Sequence, residues 1–200
     1  MEDERIPWYS TLVIGSAEPV SKWANCKRGM CVNLPASIPF PSDSALYQDL
    51  ARADFADAYR TPLRDRTATP VEIFLQATRA TPEWVNTLMA LRNVVARAIG
   101  IKDVGIMGAN ASRPADSYAS GDRLGIFTVI ESGAHELLLG IDDSHLDVRV
   151  SVLKSDAADG PTCTISTLVR IKNLLGHLYM LPVGRIHPHV VRAMMRRGLA

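Results

Sequence analysis

Alternation of apolar and polar positions dominates the second half of this chain. Runs from Gly125 to Glu131, Glu136 to Ile141 and Leu146 to Leu153 are strand-like, and the polar turns Ser132-Gly133-Ala134 and Asp142-Asp143-Ser144 separate them. A fourth run, Thr162 to Ile171, sets Cys163, Ile165, Thr167, Val169 and Ile171 against Thr164, Ser166 and Arg170, after a turn at residues 156–161. Turns this short join antiparallel neighbours, so the four runs predict a meander with one packed and one wetter face.

Helical periods flank the meander. Leu46, Tyr47 and Leu50 head an Ala-rich stretch that propensity alone extends as helix across residues 43–61. Thr69-Pro70-Val71-Glu72 supplies an N-cap, a first-turn proline and a capping-box glutamate, which starts a short helix at Pro70. Thr81-Pro82 opens another, with a stripe of Trp84, Leu88, Leu91, Val95 and Ile99 closed by Gly100. Residues 102–123 read as a long loop. The chain closes with a helix from Asn173 to about Arg197, with a stripe of Tyr179, Val183, Ile186, Val190 and Met194. Pro182 and Pro188 are expected to kink or divide it, while Gly176 and Gly184 let it approach another surface closely.

The region before Pro41 shows no sustained period, so residues 1–37 are read as a partly ordered extension to one α+β domain over residues 38–200. Thr11 to Ala17 lacks the G-x-G-x-x-G spacing of a dinucleotide-binding turn. With 47% hydrophobic residues the chain can bury a core of ordinary size, and 22 basic against 21 acidic residues leave no global field toward nucleic acid. Three cysteines, Cys26, Cys31 and Cys163, are no secreted disulfide framework, and no apolar run is long enough for a signal sequence or membrane span. These features point to a soluble, cytoplasmic protein.

Chemistry concentrates in two places. Asp143, His145, Asp147, Arg149 and Ser151 alternate with Leu146, Val148, Val150 and Val152. If the polar set faced a cavity, His145 would serve as acid or base, Asp147 would orient it and Arg149 would bind an anionic oxygen. The other reading puts the polar set on the solvated face in cross-strand ion pairs. Alternate strand residues stand too far apart for Asp142, Asp143, His145 and Asp147 to converge readily on a metal. Residues 161–200 contain no acidic side chain, and Arg185, His189, Arg192 and Arg196 form a basic stripe. Through Arg185, Arg192 and Arg196 that stripe either touches an anionic surface weakly or simply complements the helix dipole. His187-Pro188-His189 reads as a helix joint, and Cys163 as a packed core residue. No nucleophile elbow, phosphate loop or paired metal motif is present, and no cofactor is expected.

The strings Ala53-Asp-Phe-Ala-Asp-Ala-Tyr59, Leu139 to Val150 and Asn173-Leu-Leu-Gly-His-Leu-Tyr179 resemble the bacterial family of unknown function DUF2867 over residues 38–197. That family is grouped with the START-like and polyketide cyclase helix-grip superfamily. The resemblance implies a curved antiparallel sheet wrapped around the long C-terminal helix, with residues 53–61 as its first strand. It implies no established activity. Family members fused to nicotinamide-dependent oxidoreductase domains make a separate oxidoreductase partner conceivable.

The expected function is therefore binding of a hydrophobic or amphipathic small molecule between sheet and helix. The expected wall is Phe127, Val129, Leu137, Leu139, Val148, Val150, Ile165, Val169, Leu178 and Ile186. The alternatives are a cyclase or isomerase using His145, Asp147 and Arg149, and an interaction domain with a solid interior.

Overall fold

The computed structural model describes residues 34–98, 113–157 and 160–199. The expectations for the N-terminal extension, Cys26, Cys31, Ile99, Gly100 and most of the loop from residue 102 lie outside them. Seven strands form one antiparallel sheet: β1 (Ala36–Ser37), β2 (Phe55–Pro62), β3 (Arg123–Leu124), β4 (Phe127–Ser132), β5 (Glu136–Asp142), β6 (Leu146–Ala157) and β7 (Gly160–Ile171). Their spatial order is β1-β2-β7-β6-β5-β4-β3, so the predicted meander is the centre of the sheet and β2 is added beside its last strand.

Pairing register explains the two faces. Rows of residues opposite one another across the strands face the same side, and one such row runs Asp57, Thr167, Val150, Leu139, Val129. The next runs Tyr59, Ile165, Val152, Leu137, and the one on its other flank Phe55, Val169, Val148, Ile141. These rows make the inner face. The outer face carries Ala56, Ala58, Ser166, Leu168, Arg149 and Ser151 among others.

Residues 53–61 show tertiary structure overriding local propensity. Alanine at 56 and 58 favours a helix, yet Phe55, Asp57, Tyr59 and Thr61 alternate with period two, and β7 supplies a complete antiparallel partner. The small outward residues have a use: a 3-10 helix, Ala45–Arg52, lies on that side, and Leu46 packs with Leu138, Leu168 and Ala56. Glu136 anchors it by accepting hydrogen bonds from Ser44 Oγ at 2.7 Å, the Ala45 amide at 3.0 Å and Ser151 Oγ at 2.5 Å.

Among the described residues there are three α-helices: α1 (Pro70–Arg79), α2 (Glu83–Ala98) and α3 (Leu174–Gly198). Helix α1 starts where its capping box predicts, with Thr69 and Glu72 bonded reciprocally. It packs on β5 and β6, burying Val71, Phe74 and Leu75 in the main core with Leu137, Val152 and Met195. Helix α2 turns a different face inward from the one expected. Val85, Met89 and Asn93 step by four toward the interior, while Trp84 is 44% and Leu91 59% exposed. Adjacent residues stand about 100° apart on a helix, so an offset of one position selects another face.

Helix α3 remains one helix through both prolines. It runs along β2 in the same direction: Gly184 meets Phe55, His187 meets Asp57, and Arg192 meets Tyr59. Two strand residues advance about 6.6 Å and four helical residues about 6 Å, so contact is renewed at each turn. Close approach fixes both ends. A Cβ on Gly176 would run into the carbonyl oxygen of His145, and one on Gly198 would lie 2.7 Å from that of Gln76 in α1. Gly184 is different, since the nearest atom of Phe55 would be 3.7 Å from its Cβ, an ordinary contact.

Candidate functional site

The most unusual chemistry of the described residues lies on the inner face, under the middle of α3. Asp57 sits in a strand row otherwise filled by Thr167, Val150, Leu139 and Val129. Its side chain is 5% exposed, and a carboxylate there carries a large desolvation cost unless it is paired. The partner comes from α3: His187 Nδ1 is 2.7 Å from Asp57 Oδ2. A carboxylate only accepts, so Nδ1 is the donor, and whenever the ring is neutral Nε2 is left as an acceptor. The edge of the imidazole meets Phe55, with ring centroids 5.7 Å apart.

The second carboxylate oxygen, Asp57 Oδ1, is buried and has no hydrogen-bond partner among the described residues, and Thr61 Oγ1 two steps further along the same face shares that condition. Buried polar atoms are nearly always satisfied, by protein or by water, so a carboxylate oxygen in this state is open to a hydrogen-bond donor. Tyr59 lies between them. Burial first, then the charge of the neighbouring Asp57 carboxylate and the hydrogen bond the phenol directs to that carboxylate, push the phenol well above the ordinary value, although the Arg192 guanidinium opposes the shift. That guanidinium lies 5.1 Å above the ring centre. The site thus offers one buried carboxylate, one imidazole, a phenol held protonated and a nearby cation.

Its surroundings are apolar. Leu146, Val169 and Met180 form a cluster edged by Phe55, Val148, Tyr179 and Val183, and the main core begins beyond it, edged by Ile141, Val148, Met89 and Val191. Asp57 and His187 stand where these clusters meet. Several of the edging side chains, including Phe55, Val148, Val183 and Val191, are only half-buried.

A family profile matches residues 50–194. The chain belongs to DUF2867, a family of proteins of unknown function. Comparison with curated proteins and with solved structures finds no significant match. The DUF2867 segment takes in Asp57, Tyr59, His187 and Arg192, so the whole polar site falls inside the family's own stretch of chain.

The residues singled out from sequence in this DUF2867 chain are distributed differently. His145 is buried just before β6, edge-on to Tyr179 with centroids 5.4 Å apart, and its backbone carbonyl accepts from the Lys172 amide. Its Nδ1 is 3.5 Å from Asp143. Asp147 and Arg149 lie on the outer face, where Asp147 pairs with Lys172 and Arg149 with Asp142, each at 2.6 Å. The Arg149 bond holds the Asp142 carboxyl below its usual value. The three residues are therefore not gathered around one inner cavity: His145 joins the β5–β6 turn to α3, and the other two make cross-strand ion pairs. Asp147 and Arg149 do border an open groove of about 170 Å³ with Asp49, Arg52 and Arg170, below the ~300 Å³ at which small-molecule pockets begin.

Of the expected wall, Phe127, Val129, Leu137, Leu139, Val150 and Ile165 lie in the main core, Val169 in the smaller cluster, and Val148 between them. Leu178 and Ile186 are exposed, at 56% and 37%, and turn away from the sheet. Cys163 is a free, fully buried thiol pushed up to about 12 by burial, as befits a packed residue rather than a nucleophile. Among the described residues no cluster of His, Cys, Asp and Glu is arranged to hold a metal ion, and no helix is long and apolar enough to cross a membrane.

Sequence reasoning missed Asp57 and took His187 for a helix joint. The available signal was an aspartate in an inward period-two series of Phe55, Asp57, Tyr59 and Thr61. Its partner lies 130 positions away, and only the pairing of α3 with β2 joins them.

Proposed function

We propose that this protein is a helix-grip, START-like binding domain that holds a hydrophobic or amphipathic small molecule between the inner sheet face and α3, with the molecule's polar end at Asp57 and His187. The observation that carries the reading is a buried carboxylate on an apolar sheet face, paired with His187 through Oδ2 and approached by the Tyr59 phenol, whose Oδ1 lies in hydrogen-bond geometry with no described residue. An oxygen in that state favours a hydrogen-bond donor, so the polar end is a hydroxyl or amine. The half-buried side chains of Phe55, Val148, Val183 and Val191 supply the apolar contact for the rest of the molecule.

The test is extraction of small molecules from the purified protein, read by mass spectrometry. The reading expects a stoichiometric amphipathic compound in the parent and a loss of tenfold or so in Asp57→Ala, the size of one hydrogen bond to a charged group. Equal recovery from both proteins contradicts the assignment.

A second reading, an enzyme of the isomerase kind, is favoured by the Asp57–His187 geometry itself. A carboxylate that fixes Nδ1–H leaves Nε2 as a general base, able to move a proton from one carbon of a bound carbonyl compound to another. The pair replaces His145 and Asp147 in that role. Proton exchange from solvent deuterium into the recovered compound, present in the parent and absent in His187→Gln, distinguishes catalysis from binding; no exchange in the parent excludes this reading.

A further inference from the structure

We propose that the outward face of α3 docks the domain on an anionic phospholipid surface. Seven residues define that face: Leu174, Leu178, Leu181, Arg185, His189, Arg192 and Arg196, spaced by four, three, four, four, three and four. This spacing follows one line along a helix, and every one of the seven is exposed. The opposite line, through Gly176, Met180, His187, Val191 and Met195, faces the sheet and α1.

The outward line is divided by chemistry. Its first three members are leucines, with Leu174 74% and Leu178 56% exposed, and its last four are arginines and a histidine. Leu174, Leu178 and Leu181 stand in line on an exposed helix face, and exposed apolar side chains that are contiguous rather than scattered mark an interaction surface. A flat interface reaches both halves together: leucines enter the boundary between headgroups and acyl chains, and arginines lie along the phosphates. Charge selects the occupant. Residues 161–200 contain no acidic side chain, so nothing on the helix repels phosphate. A partner helix would instead be registered by charges of both signs flanking the apolar seam, and this seam carries only cations.

The docking is independent of any occupant beneath the helix. The groups that face Asp57 and those that face outward share a helix but not a side, apart from Arg192, which also touches the Tyr59 ring. Arg192 is therefore left intact in the test.

The experiment is co-sedimentation of the full chain with vesicles of equal parts phosphatidylglycerol and phosphatidylcholine, and with vesicles of phosphatidylcholine alone. The proposal expects binding to the first that weakens as salt rises, and far less to the second. Each arginine at an anionic surface is worth roughly a fivefold change in partitioning, so Arg185→Gln with Arg196→Gln is expected to weaken binding about thirtyfold. Leu174→Ser with Leu178→Ser is expected to reduce it comparably or more. All four positions are exposed, and unchanged circular dichroism spectra and melting temperatures identify loss of binding as a surface effect. No binding by the parent to the anionic vesicles at low salt overturns the proposal. So does equal binding to neutral vesicles, insensitivity to both pairs of substitutions, or self-association abolished by the leucine pair, which assigns the face to a second copy.

Discussion

Tyr59 turns the polar site into a measurable stability term. Its phenol titrates above the ordinary value in the folded chain because burial and Asp57 disfavour the phenolate. The unfolded chain releases that proton near pH 10, so above that value the unfolded state binds fewer protons than the folded one and stability falls. The contribution is complete below about pH 10 and is lost as pH rises toward the higher folded value. One such group gives a slope of about 1.4 kcal/mol per pH unit. Urea unfolding between about pH 9 and 11.5 is expected to show Tyr59→Phe less alkali-sensitive than the parent by a slope approaching that size; parallel curves contradict the buried placement of the phenol. At this scale the sequence was partly legible. The alternation around His145 correctly separated Val148 and Val150 from Asp147 and Arg149, because strand period alone decides it. His145 itself precedes the strand, so the period does not govern it, and its burial against Tyr179 depends on where α3 begins.

Among the elements, α3 makes the sharpest demands on its sequence. Gly176 has no room for a methyl group against the His145 carbonyl, whereas Gly184 has room beside Phe55. The same substitution is therefore expected to act in opposite directions. Gly176→Ala forces the helix N-terminus away from the β5–β6 turn at a cost of about 1–3 kcal/mol. Gly184→Ala raises helix propensity and stabilises by about 0.5–1 kcal/mol. Equal effects in denaturant melts would mean that α3 does not seat on His145 as described. Elements with local signals are legible in the sequence: Thr69 and Glu72 cap α1, and the tight turns expected at residues 132–134 and 142–144 fall at 133–135 and 143–145 and set the meander. The face of α2 was not, since its larger apolar side chains, Trp84 and Leu91, point outward while Val85 turns inward. Size and apolarity are poor guides when a helix carries apolar residues on more than one side. In β2 the alanines argued for helix, and only the family resemblance argued for the strand that is observed, because its stabilisation comes from β7, more than 100 residues later.

For the whole molecule, one arrangement matters most: β2 lies beside β7, and α3 travels along β2 in parallel. That long-range closure brings the beginning and the end of the domain together and creates the Asp57–His187 pair. It also gives α3 two chemically distinct sides, an inward one of glycine, methionine, histidine and valine and an outward one of leucine and arginine. The basic part of the outward side, Arg185, His189, Arg192 and Arg196, is legible as a stripe in the sequence, whereas the apolar stripe places Tyr179, Val183 and Met194 inward but wrongly adds the exposed Ile186. Whether an amphipathic molecule lies on the inner face is read by methyl NMR spectroscopy with decanol as the probe. Binding there is expected to give saturable shifts at Val148, Val183, Val191 and Ile165, reduced by Asp57→Ala, with Leu153 and Leu138 on the outer face unmoved. Saturable shifts confined to outer-face methyls such as Leu168, beside the groove at Asp49 and Arg149, would contradict it.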